Sequence, residues 1–273
     1  MTKFSDVRRI GYGAMKLAGP HVFGPPADPE AAKAVLRRAV ELGVNHVDTS
    51  DYYGPHVVND LIREALHPYS DDLLLVTKVG ARRDDRGQWL PAWSPQEIRD
   101  AVHDNLRRLR VERIGAVNLR IMSADEELEP QFTVLAELQQ EGLIGELGVS
   151  NVDAGQLATA QSIAPVACVQ NEYNITNRAA DALVDSTAAQ GIAFVPFFPL
   201  GGFQPLDLSR VRAVADGHGA TVHQIALAWL LHRSPNVLVI PGTSSIAHLE
   251  ENVAAGGLTL SEEDLRTLND TAG

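Results

Sequence analysis

The chain has 273 residues, 45 % hydrophobic and 21 % charged, a balance that suits an ordinary folded protein and excludes a disordered or fibrous one. Its formal net charge of −12 argues against a nucleic-acid or anionic-membrane surface, so any anionic ligand must be held by a local site. The lone cysteine, Cys168, rules out an internal disulfide and a cysteine metal cluster.

No apolar run approaches the length of a membrane span, and the opening Met-Thr-Lys-Phe-Ser-Asp lacks the apolar core of a signal peptide. No membrane partner and a cytoplasmic location are therefore expected. In chain order, short apolar runs predict strands at Ile10–Ala14, Val44–Asp48, Leu73–Lys78, Ile114–Leu119, Leu147–Ser150, Ala167–Gln170, Ile192–Pro196 and Val237–Pro241. Helical patterns lie between them. The first opens with Asp28 as N-cap and Pro29 at the first helical position, places Ala32, Val35, Leu36 and Ala39 on one face, and stops at Gly43. Ser94-Pro95 repeats the device before Ile98, Ala101, Val102, Asn105 and Leu109. Apolar strands alternating with amphipathic helices predict an α/β fold with a covered parallel sheet, and eight such units fit a closed (β/α)8 TIM barrel over residues 1–273 as a single domain. An open dinucleotide-binding sheet is disfavoured because Gly11-Tyr12-Gly13-Ala14-Met15-Lys16 lacks the third glycine of that turn.

In such a barrel the chemistry sits at the carboxyl ends of the strands. Asp48, Tyr53 in the polar loop that follows it, and Lys78 all fall there, as do Ser150-Asn151, Gln170-Asn171 and Pro241-Gly242-Thr243. Taken singly, Asp48 and Lys78 read as a strand-end salt bridge and Tyr53 as a loop aromatic. Together they supply an acid, a cation that favours its ionised form, and a counter-ion for that cation. The nine histidines show no spacing that gathers a metal site, and no metal is expected.

The ordered set Asp48-Thr49 with Tyr53-Gly54, Thr77-Lys78, Gly148-Val149-Ser150-Asn151, Val169-Gln170-Asn171-Glu172-Tyr173, Pro199-Leu200-Gly201, and Ile240-Pro241-Gly242 with Glu251-Asn252 resembles the aldo-keto reductase family along nearly the whole chain. The resemblance implies reduction of an aldehyde or ketone to an alcohol by hydride transfer from NADPH, with NADH as the alternative. It makes Tyr53 the general acid and Asp48 and Lys78 its supporting pair. It places the cofactor on Ser150, Asn151, Gln170, Phe197, Leu200, Gly201, Gly242, Thr243, Ser244, Ser245, His248, Glu251 and Asn252. Phe197 stands where the family usually has a stacking tyrosine, and Thr243, Ser244 and Ser245 open a helix whose free N–H groups suit a phosphate, although plain helix capping explains those hydroxyls equally well.

Two departures from the family pattern matter. The fourth strand ends in Arg120 where a histidine is usual; a guanidinium donates to a carbonyl oxygen but does not act as a neutral acid. Gly242 and His248 replace the basic residues that commonly bind the 2′-phosphate, which narrows the expected preference for NADPH. The stretch Asn118-Leu119-Arg120-Ile121-Met122, with Gly242 to Ser245 and His248-Leu249, is similar to a bacterial branch associated with pyridoxal reduction, whose phenolic oxygen suits Arg120. Trp89, in the long loop after Lys78, and Phe23, in the first loop, are the expected substrate wall, with Trp93 packing that loop onto the next helix. The competing reading is a redox sensor or partner subunit of the same fold that binds cofactor and turns over little. A monomer acting on a small-molecule carbonyl is expected, since no large apolar patch stands out.

Overall fold

The computed structural model describes residues 2–123, 126–203 and 211–270. Strands β1 (Tyr12–Gly13), β2 (His46–Asp48) and β3 (Leu74–Val79) are followed by a two-stranded hairpin, β4 (Ala81–Arg83) and β5 (Trp89–Pro91). After it come β6 (Ile114–Arg120), β7 (Ile144–Ser150), β8 (Cys168–Gln170) and β9 (Ala193–Phe194). The main sheet is parallel in the order β1-β2-β3-β6-β7-β8-β9. The run beginning at Val237 bridges β9 through Phe194 and the chain before β1 through Ile10, both in parallel, and so closes the ring. It makes bridges rather than a ladder, since Pro241 ends its supply of N–H donors.

Ten helices among the described residues cover the outside: α1 (Pro29–Glu41), α2 (Val57–Leu66), α3 (Pro95–Leu109), α4 (Glu129–Gln140), α5 (Ala154–Ile163), α6 (Asp181–Ala189), α7 (Arg212–His218), α8 (Val222–Arg233), α9 (Ile246–Ala254) and α10 (Glu262–Asn269). Their starts follow from local chemistry. Asp28 accepts from the Ala31 N–H to cap α1, and Ser94 and Glu97 form a reciprocal capping box on α3. Ala32, Val35, Leu36 and Ala39 are all buried, as the helical spacing predicts. None of the described helices is long and apolar enough to cross a membrane.

The barrel interior is filled by Leu74, Val76, Ala116, Cys168, Val195, Leu238 and Ile240, and Phe4 plugs its amino-terminal end. Burial pushes the Cys168 thiol up, so this cysteine behaves as a core hydrophobe. At the opposite end two backbones touch: a Cβ on Gly13 would lie 2.5 Å from the Ile240 carbonyl oxygen, and one on Gly242 2.6 Å from that of Gly13. Only glycines permit that seam, and it forms the floor of a groove across the carboxyl end of the barrel.

The hairpin β4–β5 is not foreseen by the strand pattern. Its residues alternate poorly, and its strands hold together through a turn in which the Asp84 carboxylate accepts the Arg86 and Gln88 N–H groups at 2.9 and 2.7 Å.

Candidate active site

The ends of β2 and β3 set the centre. Register pairs Asp48 with Val76, so Lys78, two residues on, rises just above the aspartate. Its ammonium donates to Asp48 Oδ1 at 2.5 Å and to the Thr49 carbonyl at 2.9 Å. The other carboxylate oxygen accepts from Gln170 Nε2 at 2.8 Å. Asp48 is 2 % exposed and Lys78 4 %. Such a pair persists in a dry site only because both charges are hydrogen-bonded as well as matched.

Behind it, Thr49 donates to Asn59, Asn59 to Asn105, and Thr77 to the same Asn105 oxygen, at 2.7 to 2.9 Å. This network ties α2 and α3 to the residues adjoining Asp48 and Lys78. It fixes the pair from the outer side of the barrel wall.

Tyr53 folds back over the pair, with the Lys78 ammonium 5.2 Å from its ring centroid. Its hydroxyl makes no hydrogen bond among the described residues. Burial, and secondly the Asp48 charge, hold its pKa well above that of a free tyrosine, while Arg120 opposes them. This departs from the expectation that Lys78 would acidify Tyr53 in the resting site. Asp48 neutralises that lysine at close range, so desolvation wins and the phenol is kept protonated.

Three cavities run in a row across the barrel end. One of about 220 Å³ is lined by Met15, Tyr52, Tyr53, Lys78, Trp89, Arg120, Met122, Gln170, Phe197 and Phe203. A second, of about 170 Å³, shares Met15, Tyr53, Lys78 and Phe197 with it and extends over Gly13, Lys16 and the turn from Phe198 to Gly202. The third, about 160 Å³, shares Leu200 and Gly242 with the second and reaches Thr243, His248, Glu251 and Asn252. Larger hollows of about 480 and 580 Å³ lie elsewhere, one among Arg8, Arg9 and Leu231, the other among Glu126, Pro130 and Gln156. Neither gathers a proton donor with a paired cation, so size does not identify the site.

Arg120 donates to Ser150 Oγ at 3.2 Å and lies over the Phe197 ring, 4.6 Å from its centroid. It has no carboxylate partner among the described residues. Gln170 Oε1 is buried and unpartnered. Asn151 sits in the left-handed region at φ 62° and donates its amide to the Ile121 carbonyl at 3.0 Å, anchoring the loop after β6.

At the far end, Thr243 Oγ1 accepts from the Ser245 N–H, and Ser245 Oγ caps α9 by accepting from the His248 N–H. Two of the three hydroxyls are therefore capping groups, while Ser244 is exposed. Gly201 is at positive φ in the turn beside them.

The expected wall residues part company. Trp89 lines the first cavity. Phe23 does not: the chain passes through two 3-10 turns, Ala14–Leu17 and Pro20–Val22, with His21 and Val22 at positive φ, and this carries Phe23 away to bridge Gly54 and pack on Arg83. Met15 and Lys16 stand in the cavities instead. The strand-end rule applied to β1 points to both, whereas preference for an aromatic points past them. Trp93 packs beside Gly80 and donates to the Glu127 carbonyl at 3.2 Å. Tyr52 and Phe203 are further lining residues that carry no motif, and Met122, the last residue of the stretch from Asn118, lines the same cavity. Among the described residues no three His, Cys, Asp or Glu side chains gather as a metal site.

The site's residues fit a nicotinamide dinucleotide in two respects: a buried acceptor on Gln170 awaits a donor, and the glycine seam leaves room along the groove. Comparison with known proteins agrees. The sequence pattern of the Aldo/keto reductase family matches residues 9–272. Pyridoxine 4-dehydrogenase of Escherichia coli (strain K12) is 60 % identical over 270 residues, covering 97 % of this chain and 94 % of that protein. A thermostable aldo-keto reductase solved with the inhibitor epalrestat is 29 % identical and superposes with a TM-score of 0.85 over 97 % of this chain and 96 % of its own. An aldo/keto reductase from Klebsiella pneumoniae in complex with NADP and acetate is 25 % identical, with a TM-score of 0.81 over 98 % and 93 %. The chain belongs to the aldo/keto reductase family.

Proposed function

We propose that this protein reduces an aldehyde to an alcohol with NADPH, that Tyr53 is its proton donor, and that its substrate is a flat aromatic aldehyde bearing an anionic oxygen, with pyridoxal the first candidate. The observation that carries the reading is the unbonded, protonated Tyr53 hydroxyl over the Asp48–Lys78 pair, where two cavities meet. Support for the substrate comes from the similarity to pyridoxine 4-dehydrogenase and from the lining of the first cavity.

A bound reduced nicotinamide supplies the hydride. Gln170 Oε1 and the Ser150 hydroxyl would hold its carboxamide, Phe197 would offer a stacking face, and the seam with Leu200 and Gly201 would leave room for the pyrophosphate. Lys16, on the lip of the same groove, adds a cation there. Thr243 to Asn252 form the adenosine end. As negative charge develops on the carbonyl oxygen, Tyr53 donates its proton to it. Lys78 and Arg120 stabilise the tyrosinate that remains, and Asp48 holds Lys78 in place throughout. Tyr53 regains a proton from solvent. Trp89 and Tyr52 bound the ring of the substrate, and Arg120, lacking a carboxylate among the described residues, accepts its phenolate as a counter-ion.

The test is NADPH and NADH oxidation by the purified protein against a panel of aldehydes that includes pyridoxal, alongside Tyr53→Phe. The variant is expected to lose about 10²–10⁴-fold in kcat, the range of a positioned general acid, with NADPH binding retained. Tight NADPH binding with no turnover of any carbonyl would refute the reading.

A further inference from the structure

Arg83 lies outside the cavities, yet it makes more specific contacts than any cation lining them. Its guanidinium lies over two rings, 4.0 Å from the Trp89 centroid and 5.4 Å from that of Phe23. In its plane, Nε and Nη2 donate to the Gly87 carbonyl at 3.0 and 2.6 Å, Nη1 to the Val22 carbonyl at 2.8 Å, and Nη2 also to the His21 carbonyl at 3.2 Å. No carboxylate partner accompanies it among the described residues. The fork thus joins the first loop, the turn of the β4–β5 hairpin and the outer face of Trp89. A residue with one donor cannot hold all three.

The contact continues inward. Trp89 meets Tyr52 edge to face at 5.6 Å, and Tyr52 meets Tyr53 in the same way at 5.4 Å. Trp89 is also 37 % exposed on a hairpin that pairs with no other strand. A half-exposed indole on a short hairpin has little else to define its orientation.

We infer that Arg83 is a positioning residue for the substrate pocket: packed against both Phe23 and Trp89, it holds the indole as a fixed wall and so sets the preference for a flat aromatic substrate over a small aliphatic one. This rests on the reading of the first cavity as the carbonyl pocket. It also gives Phe23 a place in recognition, as the second ring against which Arg83 rests.

The experiment measures Arg83→Gln and Arg83→Lys with pyridoxal and with propanal at saturating NADPH, in the backgrounds of native Trp89 and Trp89→Ala. In Arg83→Gln, KM for pyridoxal is expected to rise about three- to tenfold, as loss of a partly buried cation–π clamp implies, while kcat and the kinetics with propanal stay within about twofold. Arg83→Lys keeps the charge without the fork and is expected to fall between. In the Trp89→Ala background the Arg83 effect on pyridoxal should vanish, because Arg83 acts through the indole. A native KM in folded Arg83→Gln, or an equal loss on both aldehydes in both backgrounds, would overturn the proposal. Acrylamide quenching, taken as the difference between matched Trp89 and Trp89→Phe proteins, decides it independently: easier access to Trp89 in Arg83→Gln supports the clamp, and unchanged access refutes it. If the native protein reduces no carbonyl at all, the assignment of the pocket fails, and the quenching result alone still decides the clamp.

Discussion

The two ends of the row of cavities are built differently. At the reaction end, Asp48, Lys78 and Gln170 are buried, and their hydrogen bonds reach back through Thr49, Thr77 and Asn105 into α2 and α3. At the end proposed for the adenosine, Thr243 and Asn252 are buried but Ser244 and His248 are exposed, and the Thr243 and Ser245 hydroxyls are occupied with holding the helix start. Chemistry needs groups that cannot move or choose another partner, and burial supplies that at a cost in stability. Cofactor choice needs only a local excess of attraction, which an exposed helix terminus can tune.

The contrast is sharpest in stability. Lys78→Met leaves Asp48 buried with only Gln170 as a donor, and unfolding free energy is expected to drop by about 3–5 kcal/mol. Asp48→Asn combined with Lys78→Met should recover part of that loss, because the uncompensated charge is removed with its partner. Urea unfolding of the native protein and these two variants checks this. A single mutant with the native midpoint would mean that the pair does not hold the reaction end together.

Next in size is a pH effect inside the loop between Asp48 and Tyr53. Burial pushes the Asp51 carboxyl up to about 7, with the Asp104 charge adding to the rise and the Ser50 hydroxyl opposing it. The folded protein therefore favours the protonated form. Below the ordinary carboxylate range this group costs nothing; as pH rises towards 7 the unfolded chain releases its proton first, and stability falls. Asp51→Asn should match the native protein near pH 4 and exceed it by roughly 2–4 kcal/mol above pH 7. A difference that does not change with pH would show that the carboxyl is not neutral in the fold. The adenosine end, lacking any such buried acid, has no counterpart.

The same contrast decides what the sequence made legible. Strand ends in a barrel follow from the apolar pattern, so the region of Asp48, Lys78, Ser150 and Gln170 could be placed without coordinates. The helix caps at Asp28 and Ser94 were equally readable, being local. What depended on side chains from distant segments was not. Gln170 turns its amide to Asp48 and keeps only its oxygen for a ligand, a division set by a partner 122 residues away. Phe23 left the cavity because of two turns with unusual backbone at His21 and Val22. The β4–β5 hairpin escaped notice because Arg83, and not an alternating pattern, holds its turn against the first loop.

A smaller effect is expected at Arg120, which stands at the rim of the reaction end and is only partly buried. Arg120→Met should raise KM for pyridoxal about tenfold, the order of one charge-assisted hydrogen bond, and change KM for an uncharged aromatic aldehyde by less than about twofold. Equal changes for both substrates would show that Arg120 acts on Tyr53 and not on a substrate anion.

The smallest effect belongs to the adenosine end. The N–H groups of Ile246 and Ala247, first in α9, take no partner among the described residues, and with exposed Ser244 they are the groups proposed to hold a 2′-phosphate. His248, one residue further on, is exposed. A terminus of this kind contributes about 0.3–1 kcal/mol to an exposed anion. On that proposal, His248→Arg would place a permanent cation and a two-pronged donor beside the same phosphate. The ratio of kcat/KM for NADPH over NADH is expected to rise about three- to tenfold, almost wholly through KM for NADPH and with added salt eroding the gain. Unfolding should be unaffected, since the helix keeps the Ser245 cap. A change in kcat would mean that the two ends are coupled, contrary to the division between a buried chemical centre and an adjustable surface grip.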